Sequence, residues 1–144
     1  MTATHPHIAI LGAGPIGLEA ALAASERGWD FTVYEAAARA GGNVRDWGHV
    51  RLFTPWDMNV SERARAALPA APSGAGLPSG ADLATELLEP LAALPQVAPR
   101  LRLGTRVEAV AREGLLKHEA IGLPERGARR FRLLLSDSEG RESV

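Results

Sequence analysis

Residues 9–21 read AILGAGPIGLEAA, with glycines at positions 12, 14 and 17 directly after an apolar run. Glycine is the costliest residue to order, because a chain without a Cβ loses the most freedom on folding. Three of them in six positions therefore imply that something must approach this backbone closely. The flanks restrict what the turn can belong to. His7–Leu11 is a short apolar run without polar alternation, as expected of a strand buried on both faces of a parallel sheet. Pro15 suits the first turn of a helix, where its missing N–H costs nothing. Leu18, Ala21, Leu22 and Ser25 then fall on one helical face, and Gly28 is a natural stop. DFTVYE (30–35) reads as a second strand, so strand, helix and strand make one βαβ unit.

In that context GxGxxG is the dinucleotide fingerprint. Gly12 allows the tight turn, Gly14 admits a pyrophosphate to the backbone, and Gly17 lets helix and strand pack closely. Ala13, Pro15 and Ile16 complete the turn, which delivers the ligand's negative charge to a helix N-terminus. Glu35 ends the second strand, 21 residues after Gly14, where a carboxylate would accept hydrogen bonds from a ribose diol. The same charge would repel a 2′-phosphate and disfavours NADP at this turn. The competing reading is a glycine-rich turn that binds nothing.

Composition removes other classes. The 144 residues suffice for one domain with a real core, and the net charge of −1 gives no basic field for nucleic acid or anionic membrane. There is no cysteine, which excludes disulfides and thiolate metal sites within this sequence. No metal site is expected from the histidines: His5 and His7 flank Pro6 as solvated groups, and His49 and His118 are scattered. MTATHPH lacks the features of a signal peptide, and the apolar runs are too short for a bilayer. A soluble cytoplasmic protein is the default expectation.

Beyond Glu35 the pattern becomes irregular. Residues 60–70 predict a short helix capped by Ser61, and 71–81 predict a loop. Ser79 and Asp82 have capping-box spacing ahead of a stripe of Leu83, Leu87, Leu91 and Leu94. Pro90 inside that stripe predicts a kink or two abutting helices. From Arg100 the period changes to two. RLRLGTRVEAVARE and RRFRLLLSDSEGRESV predict antiparallel strands with one wet face, joined by a loop over 117–129. Val144 is expected to fall where a further strand would begin.

YEAAARAGGNVRDW (34–47) resembles the pattern of two-dinucleotide-domain flavoproteins, in which the acidic residue is followed by a paired glycine. That family includes glutathione-reductase-like enzymes and flavin-containing monooxygenases. The resemblance implies an α/β, Rossmann-like FAD-binding domain: a parallel sheet plus an antiparallel β-meander. It implies FAD contacts from Ala36, from Gly41 and Gly42 beside the pyrophosphate and ribityl chain, and from the neighbouring Asn43. Trp47 falls near an aromatic position of the monooxygenases, although at longer spacing. Trp47, Phe53 and Trp56 would wall an isoalloxazine ring, or else serve the core. LRLGTRVEAV resembles the family's next element, a strand, a turn and then a β-strand whose first residues pass the adenine, where Val107 would offer its backbone N–H and C=O to the adenine edge. Disulfide reductases carry a cysteine pair after the GG, which GGNVRDW lacks, so thiol exchange is excluded from this segment.

Asp46 and Asp57 are polar candidates near the flavin, but no residue is marked as catalytic; in flavin enzymes the cofactor performs the redox step. The family usually continues into an ATG-like strand and a second glycine fingerprint for NAD(P)H. Neither occurs in residues 1–144, which therefore read as the N-terminal part of an FAD-binding domain, incomplete at its C-terminus, with the NAD(P) domain absent. The implied partners are NAD(P)H as electron donor and oxygen or a small-molecule substrate as acceptor. Self-association through an open sheet edge is also implied. Two other readings stay open: an NAD-binding domain of a dehydrogenase, and a non-catalytic nucleotide-binding module.

Overall fold

A computed structural model describes residues 6–144. The chain packs as two compact units, one reaching Gly104 and the other spanning Thr105–Val144.

The first unit is built on the predicted βαβ element. Strand β1 (Ile8–Leu11) leads through the glycine turn into helix α1 (Pro15–Glu26), and strand β2 (Phe31–Tyr34) pairs parallel to β1 with Ile8 opposite Phe31. Gly28 adopts φ +64° and ends α1, its N–H donating to the Ser25 carbonyl. Leu18, Ala21, Leu22 and Ala24 form the buried face of α1; Ser25 is only partly covered. Strand β1 differs from expectation. Ile10 is buried, but Ala9 is exposed and Leu11 is 51% exposed, so only one face of β1 meets the core. An apolar run without alternation does not by itself reveal how many faces are covered.

Short helices follow: α2 (Gly42–Asp46), α3 (Trp56–Asn59) and α4 (Glu62–Ala67). Ser61 caps α4 as predicted, accepting the Ala64 N–H at 2.9 Å. The capping box at Ser79 and Asp82 also forms, and it opens α5 (Gly80–Asp82). The Ser79 hydrogen bonds hold the Asp82 carboxyl below the usual carboxylate range, with Arg51 adding a smaller attraction. From α5 the chain passes into a π-helical stretch, Leu83–Leu88, and then α6 (Glu89–Ala92). Pro90 thus stands in the first turn of α6, where it is best tolerated, and the wider π register precedes it. Leu83, Leu87 and Leu91 are buried, as the stripe requires.

After a 3₁₀ turn (Ala98–Arg100), strand β3 (Leu101–Arg102) pairs with β2, giving the order β1-β2-β3. This pairing is parallel, so the alternation of RLRL was misleading about strand direction. Asp30 bonds His7 before β1 and Arg100 before β3, which ties together the amino ends of all three strands. His7 is therefore held rather than merely solvated; its Nε2 also lies 2.9 Å from Thr32 Oγ1. His5 lies outside the described residues.

The second unit is an antiparallel sheet of β4 (Arg106–Arg112), β5 (Phe131–Asp137) and β6 (Gly140–Ser143) in the order β4-β5-β6. Leu133 and Leu135 are buried, and β4 is largely exposed. One expectation fails here. Residues 117–129 contain a helical turn, α7 (Pro124–Ala128). Val144 exchanges backbone hydrogen bonds with Leu133 beside β6. The fold class expected from the sequence stands, an α/β Rossmann-like parallel sheet with an antiparallel meander.

Candidate functional site

The glycine turn, Glu35 and the paired glycines converge on one residue, Ala13, which is fully buried. Its N–H donates to Glu35 Oε2 at 2.7 Å, and its carbonyl accepts the Gly41 N–H at 2.9 Å. Glu35 Oε1 in turn accepts the Ala37 N–H at 2.8 Å. Glu35 is 9% exposed, so its carboxylate is a buried anion spread over two backbone donors.

Each turn glycine has a distinct role. Gly12 adopts φ +97°, which a side chain would strain, and its N–H donates to the Tyr34 carbonyl at 2.7 Å. A Cβ on Gly17 would lie 1.9 Å from the Gly12 carbonyl oxygen, so only glycine lets α1 start this close to the strand. Gly14 differs, because a Cβ there would meet nothing within 4 Å. The protein's own packing gives no reason for that glycine. Gly14 is also the N-cap of α1, without a side-chain capping bond, and the first turn holds no acidic residue. The first turn itself thus contributes no anion, while the Glu35 carboxylate sits one residue upstream of the cap, on the Ala13 N–H. Ile16, beside it, is 81% exposed.

The paired glycines are fixed by internal contacts that the sequence did not signal. Gly41 adopts φ +73°, and a Cβ on it would come 2.9 Å from Leu88 Cδ1. On Gly42 a Cβ would come 2.4 Å from the Ala37 Cβ and 3.4 Å from Glu35 Oε1. Asn43 and Ala36 are exposed at the edge of this arrangement.

The aromatic residues are not gathered into one wall. Trp56 lies in the core, Phe53 is 94% exposed, and Trp47 stacks on Gly80, where a Cβ would strike its ring at 2.6 Å. Asp57 is engaged by the Gly74 N–H and Arg65, whereas Asp46 is exposed. Val107 stands in β4, opposite Leu135 and next to a break in register, within the second unit. Among the described residues no group of three or more His, Asp or Glu could hold a metal ion, and no helix is long and apolar enough to cross a membrane.

Residues 10–71 match the family described as NAD(P)-binding Rossmann-like domain. The chain is 38% identical over 104 residues to the ferredoxin–NADP reductase of Lactococcus lactis subsp. cremoris strain SK11, covering 72% of this chain and 26% of that protein. It therefore spans about a quarter of the length of that curated relative. Among solved structures, OTEMO in complex with FAD and NADP superposes with a TM-score of 0.67 at 19% identity, over 99% of this chain and 24% of that one. The bacillithiol disulfide reductase of Bacillus cereus gives 0.65 at 19% identity, over 96% of this chain and 36% of that one. The fold is Rossmann-like, and residues 10–71 carry the similarity to NAD(P)-binding domains. At the level of fold, the resemblance to flavin monooxygenases and disulfide reductases holds, over part of their length.

Proposed function

We propose that this chain is the FAD-binding portion of an NAD(P)H-linked flavin-dependent oxidoreductase, with the FAD diphosphate seated at Gly12–Gly17. The observation that carries this reading is Gly14. It lacks a side chain where the protein itself has room for one, at the uncapped start of a helix. A diphosphate supplies the missing occupant and brings its negative charge to the N–H groups of the helix's first turn. Glu35 is turned to this place through Ala13, and each carboxylate oxygen keeps a lone pair for a ribose hydroxyl beyond its backbone bond.

The residues thus fit the group. Ala13, Gly14, Pro15 and Ile16 form the seat, Glu35 and Ala36 border the ribose, and Gly41, Gly42 and Asn43 border the diphosphate and ribityl chain. Trp47 is the outlying contact in this proposal, toward the ring system. Bound flavin would supply the electron transfer; the residues named here would bind and orient it. NAD(P)H as donor, oxygen or a small molecule as acceptor, and residues 1–144 as the N-terminal part of the FAD domain belong to the same proposal.

The alternative is an NAD-binding domain of a dehydrogenase. The chain after β2 speaks for FAD: no second strand–helix repeat follows at once, and the paired glycines bond directly to the turn through Gly41 and Ala13. Titration of purified protein with FAD and NAD separately, followed by flavin and tryptophan fluorescence, tests the choice. Saturable FAD binding that NAD does not displace is expected; NAD uptake with no flavin binding would reverse the assignment.

A further inference from the structure

We infer that Glu89 is a positioning residue for the dinucleotide loop, holding the paired glycines in place from both sides. Arg39 precedes the pair and Arg45 follows it. Their Nη2 atoms meet the same oxygen, Glu89 Oε1, at 2.9 Å and 2.6 Å. Two arginines that bracket a loop are thereby drawn to one point on helix α6. The loop's carbonyl at Ala40 also accepts Arg45 Nε at 3.4 Å.

The burial of these groups makes this more than a surface ion pair. Arg45 and Glu89 keep only 25% and 30% of their side-chain exposure, while Arg39 keeps 65%. Arg45 Nη2 itself is buried and has no hydrogen bond of good geometry, so the Glu89 charge is its compensation. Removing that charge leaves the buried Nη2 end of Arg45 without its counter-charge, and breaking one side of such a pair is the costly change. The same helical run presses on the loop with apolar atoms: Leu88 and Ala84 face the position a Cβ would take on Gly41. From Gly41 the connection to the turn is a single hydrogen bond to Ala13. Glu89 thus acts on the turn through Arg39 and Arg45, then Gly41, then Ala13, without touching the dinucleotide.

The effect on ligand binding rests on the FAD reading above; the effect on the loop does not. Hydrogen exchange on the full chain without flavin, comparing wild type with Glu89→Gln and Glu89→Asp, isolates the loop. Amides of residues 41–44 should exchange roughly tenfold faster in Glu89→Gln, with those of β1 and α1 unchanged and Glu89→Asp intermediate. Unchanged exchange at 41–44, or equal acceleration in β1 and α1, overturns the clamp. FAD titration of the same proteins then reads its consequence. A roughly tenfold weaker affinity in Glu89→Gln, partly restored in Glu89→Asp, supports the positioning role. Faster loop exchange with unaltered FAD affinity would sever the loop from the binding site. Wild type that takes up no FAD would defeat the flavin assignment alone, and exchange would still decide the clamp.

Discussion

The Glu35 carboxylate, at the end of β2, accepts the Ala13 N–H at 2.7 Å from within the glycine turn. This bond and its partner from Ala37 make Glu35 a structural fastener before any ligand arrives. Glu35→Ala leaves two backbone donors without an acceptor, one of them on the fully buried Ala13. Stability should fall by about 1–3 kcal/mol, measured by urea unfolding. Flavin affinity should fall with it. An unchanged urea midpoint would mean that water replaces the carboxylate freely.

Gly14 and Gly17 stand three residues apart and should respond in opposite ways. Gly17→Ala puts a methyl against the backbone oxygen of Gly12, which cannot swing aside, and should cost about 2–4 kcal/mol. Gly14→Ala meets open space and should stay within about 1 kcal/mol of wild type. FAD binding should nevertheless be lost in Gly14→Ala. If that variant binds FAD as wild type does, the diphosphate is not at this turn.

Acid should loosen the parallel sheet from its amino end. The His7 hydrogen bond, and then that from Arg100, hold the Asp30 carboxyl below its usual value of 3.8. A carboxyl depressed by folding stabilises fully above its unfolded value, and that contribution disappears as pH falls through the folded one. Between about pH 5 and pH 2 the urea midpoint of wild type should therefore fall more steeply than that of Asp30→Asn. Parallel curves would show that the His7–Asp30–Arg100 connection contributes nothing to stability.

What the sequence disclosed was local chemistry. The helix start at Pro15, the stop at Gly28, and the Ser61 and Ser79 caps each need only nearby residues, and all are present. Spacing located Glu35, but its donors are backbone groups of Ala13 and Ala37, which any residue could supply. The same holds for Gly42, whose need to be glycine comes from Ala37 and Glu35 folding back on it. Alternation in RLRL could not tell a parallel from an antiparallel partner, because that depends on where β2 lies. The final hairpin did carry a signal: Asp137 Oδ1 accepts the N–H groups of Glu139 and Gly140, the self-bonding turn that Asp-Ser-Glu-Gly favours. The Arg39–Glu89–Arg45 convergence left none, since ion pairs between distant segments have no fixed spacing.

The long detour between β2 and β3 sets a timetable for biogenesis. The glycine turn and Glu35 leave the ribosome early, while the buttress formed by residues 80–92 is translated far later. Nascent chains therefore pass through an interval in which the fingerprint exists and its underpinning does not. A dinucleotide seat of the proposed kind would therefore be complete only once residues 80–92 have been made and have docked.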